Sequence, residues 1–230
     1  MPLHIGIVAC STEGAALCYR TISLEGAQML GKHDHPEVSL HAHSLAQYMK
    51  SVYANDWAGV AELMLSSADK LARAGADFLI CPDNTIHQAF DLVEHRSPRP
   101  WLHIAREVAK EAQHRQFKRL AVLGTRYLME GPVYREALKA TGIEYRTPGP
   151  EQREHLDKII MDELVNGQFL PRSLAYYVEV IRALKDEGCD AVVLGCTEIP
   201  LLITPESSPL PTLDSTRLLA QAAVRKAVEG

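Results

Sequence analysis

No apolar run in this chain is long enough to cross a bilayer, although 47% of its 230 residues are hydrophobic. A membrane span is not expected, and the apolar residues suffice for a large core or for two small lobes. The opening, Met1-Pro2-Leu3-His4-Ile5, lacks the basic patch and long apolar stretch of a secretory signal. Cysteine is sparse and odd in number: Cys10, Cys18, Cys81, Cys189 and Cys196 form no Cys-x-x-Cys pair. They read as reduced thiols of a cytoplasmic protein, not as a disulfide framework. Basic blocks and aromatic-basic stripes are also missing, and mixed acids and bases leave a formal net charge of −5. Neither nucleic acid nor a membrane surface is an expected partner. With no glycine-rich phosphate loop, Walker lysine or Gly-x-Ser-x-Gly elbow, nucleotide binding and serine-hydrolase chemistry have no support.

What the sequence does contain is an alternation of short apolar runs with amphipathic stretches, the pattern of an α/β protein with mainly parallel strands. Strands are expected at Leu3–Cys10, Val38–Ala42, Asp77–Cys81, Leu120–Gly124 and Asp190–Gly195. Trp57, Val60, Ala61, Met64, Leu65, Ala68, Leu71 and Ala72 recur at helical spacing and predict one buried stripe. Leu174, Tyr177, Val178, Ile181 and Leu184 predict a second. Pro132 suits the first turn of a helix through Tyr134 and Leu138. Proline-rich breaks fall at 97–100, 147–150 and 205–211.

An internal echo is more informative. Gly75-Ala-Asp-Phe-Leu-Ile-Cys-Pro-Asp-Asn-Thr-Ile86 and Gly188-Cys-Asp-Ala-Val-Val-Leu-Gly-Cys-Thr-Glu-Ile199 share a helix-ending glycine, an aspartate, a buried strand and a short polar segment. Asp83 then matches Cys196, and Asn84 matches Thr197. Ile7-Val-Ala-Cys10 and Val122-Leu-Gly-Thr125 echo each other at nearly the same separation. Many α/β proteins repeat Gly-x-Asp-strand units through architecture alone, but two pairs at nearly one offset favour two similar lobes related by pseudo-two-fold symmetry. The expected lobes are 1–97 plus 212–230, and 98–211. Ligands of open α/β sheets bind beyond the carboxyl ends of the strands. Lobes that face each other would bring Cys10-Ser11-Thr12, Asp83-Asn84-Thr85, Gly124-Thr125 and Cys196-Thr197-Glu198 to one cleft.

The segment Gly195-Cys-Thr-Glu-Ile-Pro200 resembles the second-cysteine motif of aspartate racemases, and Ala74–His87 is similar to the first catalytic segment of that family. Ile5-Gly-Ile, Gly124-Thr125, Ile160-Met-Asp-Glu-Leu164 with Gly167, and Asp214-Ser-Thr216 extend the likeness to the aspartate/glutamate racemase superfamily over nearly the whole chain. The resemblance implies a cofactor-free homodimer in which two residues flank the substrate α-carbon, one removing its proton while the other protonates the opposite face. It makes Cys196 one acid/base and implies Asn84, Thr85, Thr125 and Thr197 as substrate contacts, with Ser11, Thr12 and Glu198 as further ones. Such groups, with backbone N–H donors, suit a substrate carboxylate and the charge of a developing carbanion.

The departures are specific. The usual Pro-Cys-Asn-Thr stands here as Pro82-Asp83-Asn84-Thr85, so an aspartate occupies the place of the first cysteine. Cys81 lies on the same face but about 6–7 Å back along an extended segment. Ala9-Cys10-Ser11 replaces the usual Gly-Gly-Met turn, Leu128 stands where a threonine is expected, and Glu198 stands where glutamate racemases carry histidine. That last residue favours the aspartate-racemase branch.

Other readings of these residues remain open. Cys196 also fits a buried thiol after a core strand, and Asp83 a helix N-cap. His87 fits packing or capping as well as substrate contact. The pairs His33/His35 and His41/His43 lack a third ligand in the sequence, and no metal site is expected. The function expected is therefore racemisation of aspartate, glutamate or a related amino acid by Asp83 and Cys196. The alternatives are one-sided chemistry on a small dicarboxylate (decarboxylation or isomerisation) and amino-acid binding without turnover.

Overall fold

A computed structural model describes all 230 residues. The chain divides into two compact units, 1–104 plus 216–230 and 105–215. The first contains β1 (Ile5–Ala9), α1 (Thr12–Leu30), β2 (Val38–Ala42), α2 (Leu45–Tyr53), α3 (Trp57–Arg73), β3 (Phe78–Ile80), a 3-10 helix at Thr85–Leu92, and β4 (Trp101–Leu102). The second begins within α4 (Ile104–His114) and runs through β5 (Arg119–Leu123), α5 (Arg126–Glu130), α6 (Val133–Lys139) and β6 (Glu144–Arg146). It continues with α7 (Pro150–Asp162), α8 (Pro171–Asp186), β7 (Ala191–Leu194), α9 (Ile199–Leu202) and β8 (Thr212–Asp214). The final helix, α10 (Ser215–Glu229), returns to the first unit.

Each unit is built on a four-stranded, wholly parallel sheet. The strand orders, β2-β1-β3-β4 and β6-β5-β7-β8, are the same arrangement carried out twice. The expected α/β class with two similar lobes holds. The central strands β1, β3 and β7 are buried at every residue, as parallel strands covered on both faces should be. In the first unit Ile5, Ile7, Phe78 and Ile80 pack on Cys18 and Ile22 of α1 and on Leu219, Ala220, Ala223 and Val224 of α10. In the second, Ala121, Leu123, Val192 and Leu194 pack on Leu156, Ile159 and Ile160 of α7 and on Tyr177, Val180, Ile181 and Leu184 of α8. Each leucine, isoleucine or valine among them contributes about 1.5–3 kcal/mol by leaving water.

The echo in sequence is an echo in hydrogen bonding. Helices α3 and α8 both end on a glycine with positive φ, Gly75 (99°) and Gly188 (91°). In both, the next N–H reaches back into the last turn, Ala76 to Leu71 O and Cys189 to Leu184 O, each at 3.0 Å. The aspartates that follow lock the adjoining strand. Asp77 accepts the His4 N–H at 2.8 Å, while Asp190 accepts those of Lys118 (2.7 Å) and Arg119 (3.1 Å). Glycine and aspartate thus fix where β3 and β7 begin, and hence where their polar ends emerge.

Three short strands were not foreseen: β4, β6 and β8, of two to three residues each, with polar Glu144, Arg146, Thr212 and Asp214 among them. Pro132 precedes α6 as its N-cap instead of lying inside its first turn. No helix is long and apolar enough to cross a membrane.

Candidate active site

In the first unit the ends of β1 and β3 lie side by side, because Ile7 pairs with Ile80 in parallel register. Beyond β1, Ser11 is the N-cap of α1, its Oγ accepting the Gly14 N–H at 3.2 Å. Thr12 is exposed on the first turn. Both border a cavity of about 490 Å3 with Cys10, His43 and Ser44.

Beyond β3 the chain passes through Cys81 and Pro82 to Asp83, which is half-buried. Asp83 is not the N-cap of the helix that follows. Asn84 takes that position, buried and without a side-chain capping bond, and Thr85 opens the helix half-buried. The Asp83 carbonyl is gripped instead by His87, whose Nδ1 lies 2.7 Å from it. The other ring nitrogen, Nε2, accepts the Ile104 N–H at 3.5 Å. A carbonyl on one side and an N–H on the other assign the proton to Nδ1. His87 is buried, stacked on Phe90 at 5.5 Å and edge-on to His103 at 4.6 Å. It is therefore a brace for the Asp83 loop. Cys81 is fully buried, and burial, followed by the nearby Asp83, pushes its thiol well above the usual range. It stays protonated and out of reach of solvent.

In the second unit β5 and β7 end side by side, with Leu123 paired to Leu194. Two glycines make that junction close. A Cβ on Gly124 would come within 2.6 Å of Leu128 Cδ2, and one on Gly195 within 2.7 Å of the Leu123 carbonyl oxygen. Leu128, where a threonine was expected, is buried and covers both glycines. Thr125 is the N-cap of α5, its Oγ1 accepting the Leu128 N–H at 3.3 Å. Asp157 of α7 accepts the Arg126 N–H at 2.9 Å beside it.

Cys196 emerges from β7 half-buried, whereas the other four cysteines are buried. Its Sγ donates to Glu198 Oε2 at 2.9 Å, and the Thr197 hydroxyl donates to the same oxygen at 2.7 Å. Glu198 is only 3% exposed. It was expected among the substrate contacts, but its carboxylate is turned onto the two residues before it. Thr197 is likewise buried.

The histidine pairs have other partners. His41 Nδ1 lies 2.9 Å from Ser67 Oγ, and His43 Nε2 lies 3.2 Å from Ser66 Oγ, with the rings edge-on at 4.8 Å. Burial, followed by the Lys70 ammonium, lowers the pKa of both. A neighbouring ammonium also opposes a bound cation. His35 bonds the Pro36 carbonyl, and no group of three His, Cys, Asp or Glu residues is arranged to hold a metal.

Sequence reasoning missed that the charges of Cys196, Asp157 and Glu198 all bear on the buried Tyr177. Tyr177 had been placed correctly on the inward stripe of α8, but the destination of its hydroxyl has no signature in helical spacing.

Two parallel sheets of one order, each followed by small polar residues, define a two-unit α/β scaffold. The model of the Asp/Glu/Hydantoin racemase family matches residues 7–223, and the chain belongs to that family. It is 26% identical over 164 residues to the broad specificity amino-acid racemase RacX of Bacillus subtilis (strain 168), covering 70% of this chain and 69% of that one. A solved candidate Asp/Glu racemase of Yersinia pestis is 31% identical, with a TM-score of 0.90 over 98% of this chain and 99% of that one. A solved aspartate racemase homologue of Pyrococcus horikoshii OT3 is 27% identical, with a TM-score of 0.85 over 99% and 100%.

Proposed function

We propose that this protein is a cofactor-independent amino-acid racemase, with Asp83 and Cys196 as its two acid/base groups. One observation carries the reading: a partly accessible thiol at the end of β7 held by a buried carboxylate, Cys196 on Glu198 at 2.9 Å. A thiol that only filled the core would need no ionic partner. The equivalent place after β3 carries Asp83, a half-buried residue of the first unit. Membership of the family supports racemisation, and the likeness to a broad-specificity amino-acid racemase supports a free α-amino acid as substrate. Asn84, Thr85, Thr125 and Thr197, with Ser11 and Thr12 more peripheral, are proposed to receive the carboxylate. The N-terminus of α1, which Ser11 caps, also favours an anion beside it. A cytoplasmic homodimer belongs to the same proposal.

The chemistry requires the α-carbon to be reached by Asp83 on one face and Cys196 on the other. Incubation with single amino-acid enantiomers in deuterium oxide, followed by chiral analysis, tests this. Racemisation with deuterium at the α-carbon is expected, with a loss of at least about a hundredfold in Cys196→Ser. Full activity in that variant removes Cys196 from the mechanism. A second reading follows from Glu198: a carboxylate against the thiol favours the protonated form and suits one-sided proton delivery. Turnover of a small dicarboxylate, without racemisation of any amino acid, would support it.

A further inference from the structure

A buried polar atom without a partner is rare in a folded core, because it has given up its bond to water for nothing. Tyr177 is such a case. Its side chain is fully buried in the core of the second unit, and its hydroxyl has no hydrogen-bond partner. The neighbouring inward residues of α8, Val180, Ile181 and Leu184, are apolar, and a phenylalanine would fill the slot without a stranded oxygen. Cys196 packs against the same core.

The ionisable groups that bear on this hydroxyl are Cys196 first, then Asp157 from α7 and Glu198 from the loop after β7. Every one of them is negative when ionised. Burial together with these neighbours holds the phenol well above its ordinary pKa, so it remains an O–H donor.

Proton delivery changes what this corner needs. As Cys196 protonates the α-carbon, its S–H bond breaks, a C–H bond forms, and the electron pair stays on sulfur. One of the two donors to Glu198 Oε2 has then gone, leaving that of Thr197, and a thiolate stands against a carboxylate. We propose that Tyr177 is a positioning residue that answers this change, its O–H turning onto the Cys196–Glu198 pair as negative charge builds there. This rests on the reading of Cys196 as an acid. At rest Glu198 Oε2 already accepts from Cys196 and Thr197, and the acceptor that appears when the proton leaves is the Cys196 sulfur.

The test is Tyr177→Phe, which removes one oxygen and keeps the ring. A structural hydroxyl would lower the melting temperature when removed, whereas an unpaired one leaves it unchanged or raises it. Turnover should fall roughly tenfold to a hundredfold, the value of one hydrogen bond to a charged group, with KM unchanged. A readout without substrate is alkylation of Cys196 by iodoacetamide across pH, followed by the mass of its peptide. In Tyr177→Phe the rate at a fixed pH should drop about tenfold and its rise move to higher pH, the change for one pKa unit. Asp157 and Glu198 are present in both proteins, so the difference reads Tyr177 alone. An unchanged alkylation profile with a lowered melting temperature would overturn the proposal. Full turnover in Cys196→Ser would instead overturn the acid role of Cys196, whatever Tyr177→Phe does to alkylation.

Discussion

The Cys196 thiol and the Glu198 carboxylate are two residues apart in sequence and 2.9 Å apart in space, with the Thr197 hydroxyl closing on the same oxygen. The turn after β7 folds both neighbours onto Oε2 and seals it from water, leaving Glu198 3% exposed. A carboxylate in that position opposes a second negative charge on sulfur, because Coulomb repulsion is strong where water is excluded. Glu198→Gln keeps the shape and an acceptor oxygen while removing the charge. It should speed alkylation of Cys196 at neutral pH by about tenfold, the factor for one pKa unit. Equal rates in the two proteins would mean that Glu198 does not govern the ionisation of Cys196.

The position of Cys196 depends on the residue before it. Gly195→Ala would place a methyl 2.7 Å from the Leu123 carbonyl oxygen and 2.5 Å from Leu128 Cδ2. The second contact can be relieved by a side chain and the first cannot. We expect a destabilisation of about 1–3 kcal/mol, as for other overpacked cores, read as a lower urea midpoint. Leu128→Ala in the same protein should leave that loss largely in place. Equal stability of Leu128→Ala with and without Gly195→Ala would show that Leu128 alone was the obstacle.

The reach of the sequence follows the same physics. Strands such as Ile5–Ala9 and Ala191–Leu194 were legible because a parallel strand buried on both faces must be apolar throughout. Edge strands with one neighbour carry no such demand, and Glu144-Tyr-Arg146 looks like loop until the register of β5 claims it. Asp77 and Asp190 were visible as a repeat, but their work of pinning His4, Lys118 and Arg119 is a tertiary hydrogen bond. Around the candidate site the motif marks a loop without its geometry. In Cys196-Thr-Glu198 the first residue reads as an acid/base and the next two as substrate contacts, whereas the turn directs the third inward onto the first two. Tyr177 illustrates the limit from the other side, since periodicity places a ring in the core without saying what its oxygen meets.

His41 and His43 give the first unit a pH dependence whose sign can be worked out. Burial comes first and Lys70 second in lowering both imidazoles, with His43 adding to the effect on His41. A histidine whose pKa falls on folding binds protons more readily in the unfolded chain, so acid favours unfolding. The contribution is complete above the unfolded value of about 6.5 and is lost as pH falls below it. The double variant His41→Asn/His43→Asn should show a shallower decline of melting temperature between about pH 7 and pH 5. Identical slopes in wild type and variant would show that the pair is energetically silent.

Asp83 poses the sharpest question, because a racemase must visit two charge states, one with each acid/base ionised. With unperturbed pKa values of about 3.9 for aspartate and 8.5 for cysteine, Asp⁻/CysH lies about 6 kcal/mol below AspH/Cys⁻. Two matched thiols have no such gap. The carboxylate of Glu198 against Cys196 widens it, and Cys81, fully buried with its thiol pushed well up, cannot replace the missing partner. Racemisation has an equilibrium constant of one, so the penalty slows both directions. Wild type should therefore racemise common acidic amino acids slowly, and Asp83→Cys should raise the rate by restoring a matched pair. Asp83→Asn, which keeps the loop held through the main-chain carbonyl at His87, should nearly abolish deuterium exchange begun on that face. Fast aspartate or glutamate racemisation by wild type, unchanged in Asp83→Asn, would remove Asp83 from the chemistry. Slow racemisation that Asp83→Cys leaves slow would instead favour one-sided delivery of a proton from Cys196.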